Sequence, residues 1–215
     1  MKIASLCVGS AKNISWRGET VSTAIFKAPV ESAVIGTLGL AGDQQANLAI
    51  HGGPDKAVYA YSADHYPWWK AQLPGAELPY GAFGENLTIA GLNDNEVCLG
   101  DEYRAGAARL LAIQPRLPCF KLGLRFNDPG MVKRFAQSLR LGIYFRVLEP
   151  GRVRRDDAFE KISEHAIRFP VLDLARLYFD PKLTPAKARP ALEHPALNAN
   201  WHEMLGDRLK RDNAS

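Results

Sequence analysis

Apolar and polar positions alternate in short runs through roughly the first 160 residues, and glycine punctuates the runs. KIASLCVG, AVYAYS, NLTIAGL, EVCLGDEYRAG, ARLLAIQ and IYFRVLEPGRV have the length and period-two pattern of half-buried strands. EPG at 149–151 predicts a turn between two of them. Many short strands at close spacing predict a mainly β protein with helices, its strands forming an antiparallel barrel or sandwich. The opening MKIASLCVGSAKNISW is too short in its apolar run, and too broken by Ser5, Gly9 and Ser10, for a signal peptide; it reads as a first strand.

The period changes to helical in a few places. SADHYPWWKAQL begins on Ser62, a good N-cap, with Asp64 in the first turn. DPGMVKRFAQSLR sets Val132, Phe135 and Leu139 on one face. From residue 163 onward VLDLARLYF, TPAKARPALEH and NANWHEMLGDRLKR predict three short helices. Thr184 caps the second ahead of Pro185, and Asn198 or Asn200 caps the third. The division is a β domain over 1–162 and a three-helix appendage over 163–215. The appendage is too small to be stable alone and is expected to dock on the β body.

Composition adds bounds. The 215 residues are 47% hydrophobic, 23% charged and 9% aromatic, ordinary for a globular chain that can bury a sizeable core. No apolar run approaches the roughly 20 residues of a membrane span. The net charge of +4 suits an anionic small ligand at least as well as nucleic acid, and with no arginine-rich tail and no aromatic–basic ladder nucleic-acid binding is not expected. Cys7, Cys98 and Cys119 are far apart, odd in number and form no CxxC, which indicates reduced thiols in a cytoplasmic protein. The dinucleotide GxGxxG, the Walker loop, HExxH and GxSxG are all missing.

Four stretches carry candidate chemistry. In QPRLPCFKL, Pro115 and Pro118 stiffen a strand exit and deliver Cys119 between the cations Arg116 and Lys121. Nearby cations favour a thiolate, a nucleophile or soft-metal ligand; a buried loop cysteine is the plain alternative. In GLAGDQQANLAIHGGPDKAVYAYS, Asp43 and His51 lie between glycines and Lys56 just after them, a composition that serves ligand binding or a plain surface loop. In GAFGENLTI a tight glycine loop leads to Glu85 and Asn86, whose amide can read a heterocycle edge. In STAIFKAPV, Thr23 and Lys27 flank a strand end where a lysine can meet a phosphate.

Taken in order, STAIFKAPV, GLAGDQQAN, HGGPDKAVYAYSADHYPWW, GAFGENLT, LGD, QPRLPCFKL and YFRVLEPGRV resemble the MOSC-domain family, and within it the YiiM-like proteins with a three-helix module at the C-terminus. The resemblance implies a closed or nearly closed, mostly antiparallel β-barrel with flanking helices. It implies the molybdenum cofactor as ligand, with Cys119 supplying a thiolate to molybdenum. Thr23, Lys27, Lys56, Asn86 and Arg116 would contact the cofactor, and His51, Asp43 or Glu85 would deliver protons. The implied activity is reduction of N-hydroxylated compounds, such as 6-N-hydroxylaminopurine, to the amines. Electrons would come from a separate flavin-type donor protein, and a homodimer is compatible with the family. The alternative is a carrier of the cofactor, or of sulfur on Cys119, without catalysis. Cofactor sulfurases join this domain to a pyridoxal-phosphate domain, for which 215 residues leave no room. Two positions depart from the family pattern. Asn47 stands where an aspartate is usual, weakening any charged contact there. Asp156 replaces the glycine of a late turn, a change expected to be structural.

Overall fold

The structure is a computed structural model and describes residues 1–44 and 52–212. Among these, thirteen strands and six α-helices are formed. The strands are β1 (Lys2–Val8), β2 (Lys12–Trp16), β3 (Glu19–Thr23), β4 (Ala28–Val30), β5 (Ser32–Gly36), β6 (Gly39–Leu40), β7 (Val58–Ser62), β8 (Leu87–Ala90), β9 (Glu102–Ala105), β10 (Ala108–Pro115), β11 (Ile143–Glu149), β12 (Gly151–Arg154) and β13 (Phe159–Ser163). The helices are α1 (Tyr66–Gln72), α2 (Phe120–Phe126), α3 (Met131–Ser138), α4 (Val171–Phe179), α5 (Pro185–Leu192) and α6 (Ala199–Asp212). No described helix is long and apolar enough to cross a membrane.

Eight strands form one large sheet in the order β13-β9-β10-β11-β7-β8-β1-β4, flanked by the three-stranded β12-β5-β6 and the hairpin β2-β3. The expected barrel is seen as a large mixed sheet, whose ladder among the described residues runs from β13 to β4. One isolated bridge, Lys2↔Ala158, joins β1 to the run leading into β13. Around it the Ile3 N–H donates to the Asp157 carbonyl at 3.0 Å, and the Asp156 N–H to the Ile3 carbonyl at 2.9 Å. The β7–β8 pair is parallel, unlike every other ladder described. A parallel pair needs a crossover, and residues 63–86 with α1 supply it.

Local signals place the helices well. The Ser62 hydroxyl accepts from the Asp64 N–H at 3.3 Å, Thr184 from the Lys187 N–H at 3.4 Å, and the Asn198 side chain from the Trp201 N–H at 2.9 Å. α2 is the helix that the sequence pattern does not announce. Its seven residues complete barely two turns and follow a proline, so no apolar period can develop; it ends on Asn127, whose φ of +50° closes it. Asp156 sits at φ +72°, the left-handed region a glycine enters freely and an aspartate tolerates. It also pairs with Lys2 at 2.7 Å, an exposed contact of little energetic weight.

Two apolar clusters hold the molecule together. One lies against the large sheet and takes in Val171, Leu174, Ala188, Trp201 and Leu205 from the last three helices, which therefore share a core with the strands. The other joins Tyr61, Trp69 and Phe83 to α2 and α3 through Leu122, Met131 and Phe135. Full burial of each large side chain contributes roughly 1.5–3 kcal/mol, and Trp69, Trp201 and Phe135 are at most 1% exposed.

Candidate functional site

Strand β10 delivers the site. Tyr59, Tyr144 and Gln114 stand opposite one another across β7, β11 and β10, and opposed residues of antiparallel strands share a face. A register shift between Ala112 and Gln114 re-aims the end of β10. The chain then leaves the sheet through Arg116, Leu117 and Pro118. Cys119 follows as the N-cap of α2, extended at φ −123° and ψ 170°, with its carbonyl accepting from the Leu122 N–H at 2.9 Å.

These residues wall a cavity of about 100 Å³. Thr23, Lys27, Asp43, Lys56, Asn86, Arg116 and Cys119 all line it, so stretches far apart in sequence converge on one place. Glu85 does not line it. His51, like Asn47, lies outside the described residues.

Glu85 is fully buried and turned into the glycine loop. It accepts from the Gly81 N–H at 2.8 Å, the Phe83 N–H at 3.1 Å and the Thr88 hydroxyl at 2.9 Å, and the Tyr66 hydroxyl also donates to it. It holds a loop in which Gly81 and Gly84 have φ of +89° and +82°. A Cβ on Gly84 would come within 3.0 Å of Ile25, so the loop's approach to the cavity wall requires glycine.

Asp43 and Lys27 are paired. Lys27 Nζ donates to both carboxylate oxygens, at 2.5 and 2.6 Å, and each side chain is 7% exposed. Burial lowers the Lys27 pKa while Asp43 opposes the shift. Asp43 also accepts from the Gly9 N–H at 2.7 Å and from Asn86 Nδ2 at 2.9 Å. Asn86 donates its other N–H to the Cys7 carbonyl at 3.3 Å, and its own carbonyl accepts from the Tyr59 N–H at 3.1 Å. Both Asn86 donors are thus spent on the protein, and a ligand could meet only its oxygen. Thr23 is buried, with its hydroxyl oxygen accepting from the Ile25 N–H at 3.2 Å.

Arg116 differs from Lys27. It is 6% exposed, and its Nη1 has no hydrogen-bond partner among the described residues. The guanidinium lies 5.1 Å from the Tyr59 ring centroid and 5.4 Å from that of Phe135. Burial works against its charge, and Tyr59, Tyr144 and the Cys119 sulfur offset that only in their anionic forms. Burial in turn raises the pKa of both tyrosines, so they are neutral phenols at physiological pH. The result is a buried positive charge beside a thiol, with no carboxylate partner among the described residues. Lys56 and Lys121 add further positive charge to the wall, the former with its pKa lowered by burial.

A second cavity of about 370 Å³ shares Lys56, Leu117, Cys119 and Tyr144 with the first and reaches Asn200, Trp201 and Met204 on α6. Tyr59, Tyr144, Asn200 and Met204 escape a reading of the sequence. The tyrosines alternate as core strand residues do, and nothing local ties the last helix to Cys119.

Known proteins bear directly on this arrangement. Residues 47–160 match the MOSC domain. Protein YflK of Bacillus subtilis is 41% identical over 211 residues, 97% of this chain and 95% of that protein. A Gibberella moniliformis protein named "Reductase" is 37% identical over 164 residues, 74% of this chain but 29% of that protein's length. The crystal structure of YiiM from Geobacillus stearothermophilus matches with a TM-score of 0.80 at 32% identity, covering 97% of this chain and 98% of that one. With relatives matching along nearly its whole length, and its cysteine and cations gathered at one cavity, the chain belongs to the MOSC-domain family, a family associated with molybdenum-cofactor binding, and is a homologue of YiiM.

Proposed function

We propose that the protein is a molybdenum-cofactor-dependent reductase that converts N-hydroxylated compounds, 6-N-hydroxylaminopurine among them, to the amines. The observation that carries this reading is the buried Nη1 of Arg116, unpartnered among the described residues, in the same cavity as Cys119. A buried cation without its counter-ion is costly, and a guanidinium so placed suits an anion. The cofactor is an anion with a phosphate and a dithiolene, so these residues fit it. The Gibberella relative's name supports a reductase.

The Cys119 thiolate would ligate the metal. Among the described residues no three His, Cys, Asp or Glu side chains are grouped to hold a metal ion, so a metal at Cys119 would bring its remaining ligands with it. Arg116 would meet an anionic part of the cofactor, and Lys56 and Lys121 its phosphate. Lys27 is already neutralised by Asp43, so its part is to hold Asp43 and Asn86 in place. When bound, the cofactor supplies a two-electron reduction that cleaves the N–O bond.

Amine and water form only if two protons accompany the electrons. Asp43 is occupied by three donor groups and Glu85 faces away from the cavity. His51 has the intrinsic pKa best suited to proton delivery, and the ammonium groups of Lys56 and Lys121 line the cavity. Electrons would come from a separate flavin-type protein. The three free cysteines suit a reducing compartment, and the cytoplasm is the location we assign.

The test compares Cys119→Ala with the parent protein. Cys119 is only partly buried and packs in no core cluster, so the variant should fold and melt normally. It should lose bound molybdenum and reduce no hydroxylaminopurine above background. Full activity in the variant would overturn the reading. A parent protein that holds the cofactor yet reduces nothing with an artificial electron donor would be a carrier.

A further inference from the structure

We infer that the second cavity, walled by α6, seats the substrate, and that Met204 and Asn200 select a flat, neutral heteroaromatic compound carrying the N-hydroxyl group. This rests on the reductase reading. The two cavities meet at Cys119 but differ in charge. Lys27, Asp43, Arg116 and Lys121 line only the first, whereas among the described residues Lys56 is the one charged residue on the wall of the second. An anionic group of the cofactor therefore belongs in the first, and an uncharged ligand in the second. At about 370 Å³ the second cavity is within the size range of small-molecule sites.

Its wall suits a planar heterocycle. Pro115, Leu117 and Pro118 are apolar, Tyr144 adds a ring, and Gln114 and Asn200 present carboxamides. Gln114 is fixed in orientation: its oxygen accepts from Trp201 Nε1 at 2.7 Å and Asn198 Nδ2 at 3.3 Å. Its Nε2 gives one hydrogen to the Asp55 carbonyl at 3.0 Å, and among the described residues the second is left for a ring acceptor. Asn200 Nδ2 lies 3.3 Å from the Met204 sulfur, one helical turn away on the same face. Thioethers pack well against aromatic rings. The helix carrying them is anchored independently, by the Asn198 cap and by Trp201 and Leu205, which are 1% and 0% exposed.

The experiment has two readouts. In the full chain prepared without cofactor, alkylation of Cys119 is followed by mass spectrometry with iodoacetamide and with a bulky aryl maleimide; Cys7 and Cys98 are buried and serve as internal controls. Met204→Trp should slow the maleimide more than iodoacetamide, and Met204→Ala should speed it. In the cofactor-loaded protein, Met204→Trp should shift the kcat/KM ratio between hydroxylaminopurine and hydroxylamine by about tenfold against the purine. Asn200→Ala should raise KM for the purine with kcat unchanged. Unchanged labelling in both Met204 variants overturns the assignment of the cavity whatever the turnover assays give. An unchanged substrate ratio in both overturns the selective role of Met204. Altered labelling in a protein that reduces nothing supports the cavity as the route to Cys119 and overturns the reductase reading alone.

Discussion

Lys27 Nζ lies between the two carboxylate oxygens of Asp43, at 2.5 and 2.6 Å, with both side chains 7% exposed. Through the same carboxylate Asp43 holds the Gly9 N–H at the end of β1 and the Asn86 amide at the start of β8. The pair is thus a fastener for one wall of the cavity. Removing one partner strands a buried charge. Asp43→Ala should cost about 3–5 kcal/mol, and adding Lys27→Met in that background should recover part of the loss. A double-mutant cycle by urea denaturation measures both, and simple additivity would refute the coupling.

Arg116 predicts opposite effects on stability and on binding. Its Nη1 is buried without a partner among the described residues, so the protein without cofactor carries a buried cation that is only partly satisfied. Arg116→Met keeps the apolar stem and removes the charge. The cofactor-free variant should melt at or above the parent temperature, while the molybdenum retained on purification should fall by an order of magnitude or more. A lower melting temperature with full molybdenum content would show that Arg116 is only structural.

His194 makes stability depend on pH. It is 2% exposed, and its Nδ1 accepts from the Ala196 N–H at 3.1 Å, so Nε2–H must donate to the Ile167 carbonyl at 3.1 Å. Burial is the main cause that lowers its pKa below the usual 6.5; the His165 ring, 4.7 Å away, lowers it further, and the Ile167 carbonyl opposes. Between the folded and unfolded values the unfolded chain binds the extra proton, so stability rises with pH up to about 6.5 and is lost as pH falls through that window. The melting temperature should drop on acidification from pH 7, and less steeply in His194→Gln. Parallel profiles for the two proteins would refute the assignment.

Much of the fold was legible along the chain because its signals are local. The period-two runs became strands, EVCLGDEYRAG only over Glu102–Ala105, EPG became the β11–β12 turn, and the last three helices began and ended close to where their patterns and caps predict. Ser62, Thr184 and Asn198 cap as expected because a cap needs only a side chain and an N–H two or three residues on. α2 was not legible, since seven residues after a proline carry too little periodicity.

The sequence by itself determined the strand-rich body, the terminal helices and the family, and it singled out Cys119 with its flanking cations. Only the tertiary structure decided which charges are spent. Lys27 and Arg116 look alike as basic residues beside strand ends, but one meets a carboxylate 16 positions away and the other, among the described residues, meets two phenols and no acid. Asn86 is committed to partners on β1 and β7, and Glu85 to its own loop. α6 reaches the site through Trp201 and Gln114, 87 positions apart. Periodicity and capping act over a few residues and can be read from the chain. Whether a buried polar group finds its partner depends on which distant segments the sheet brings together, and that pairing exists only in the folded protein.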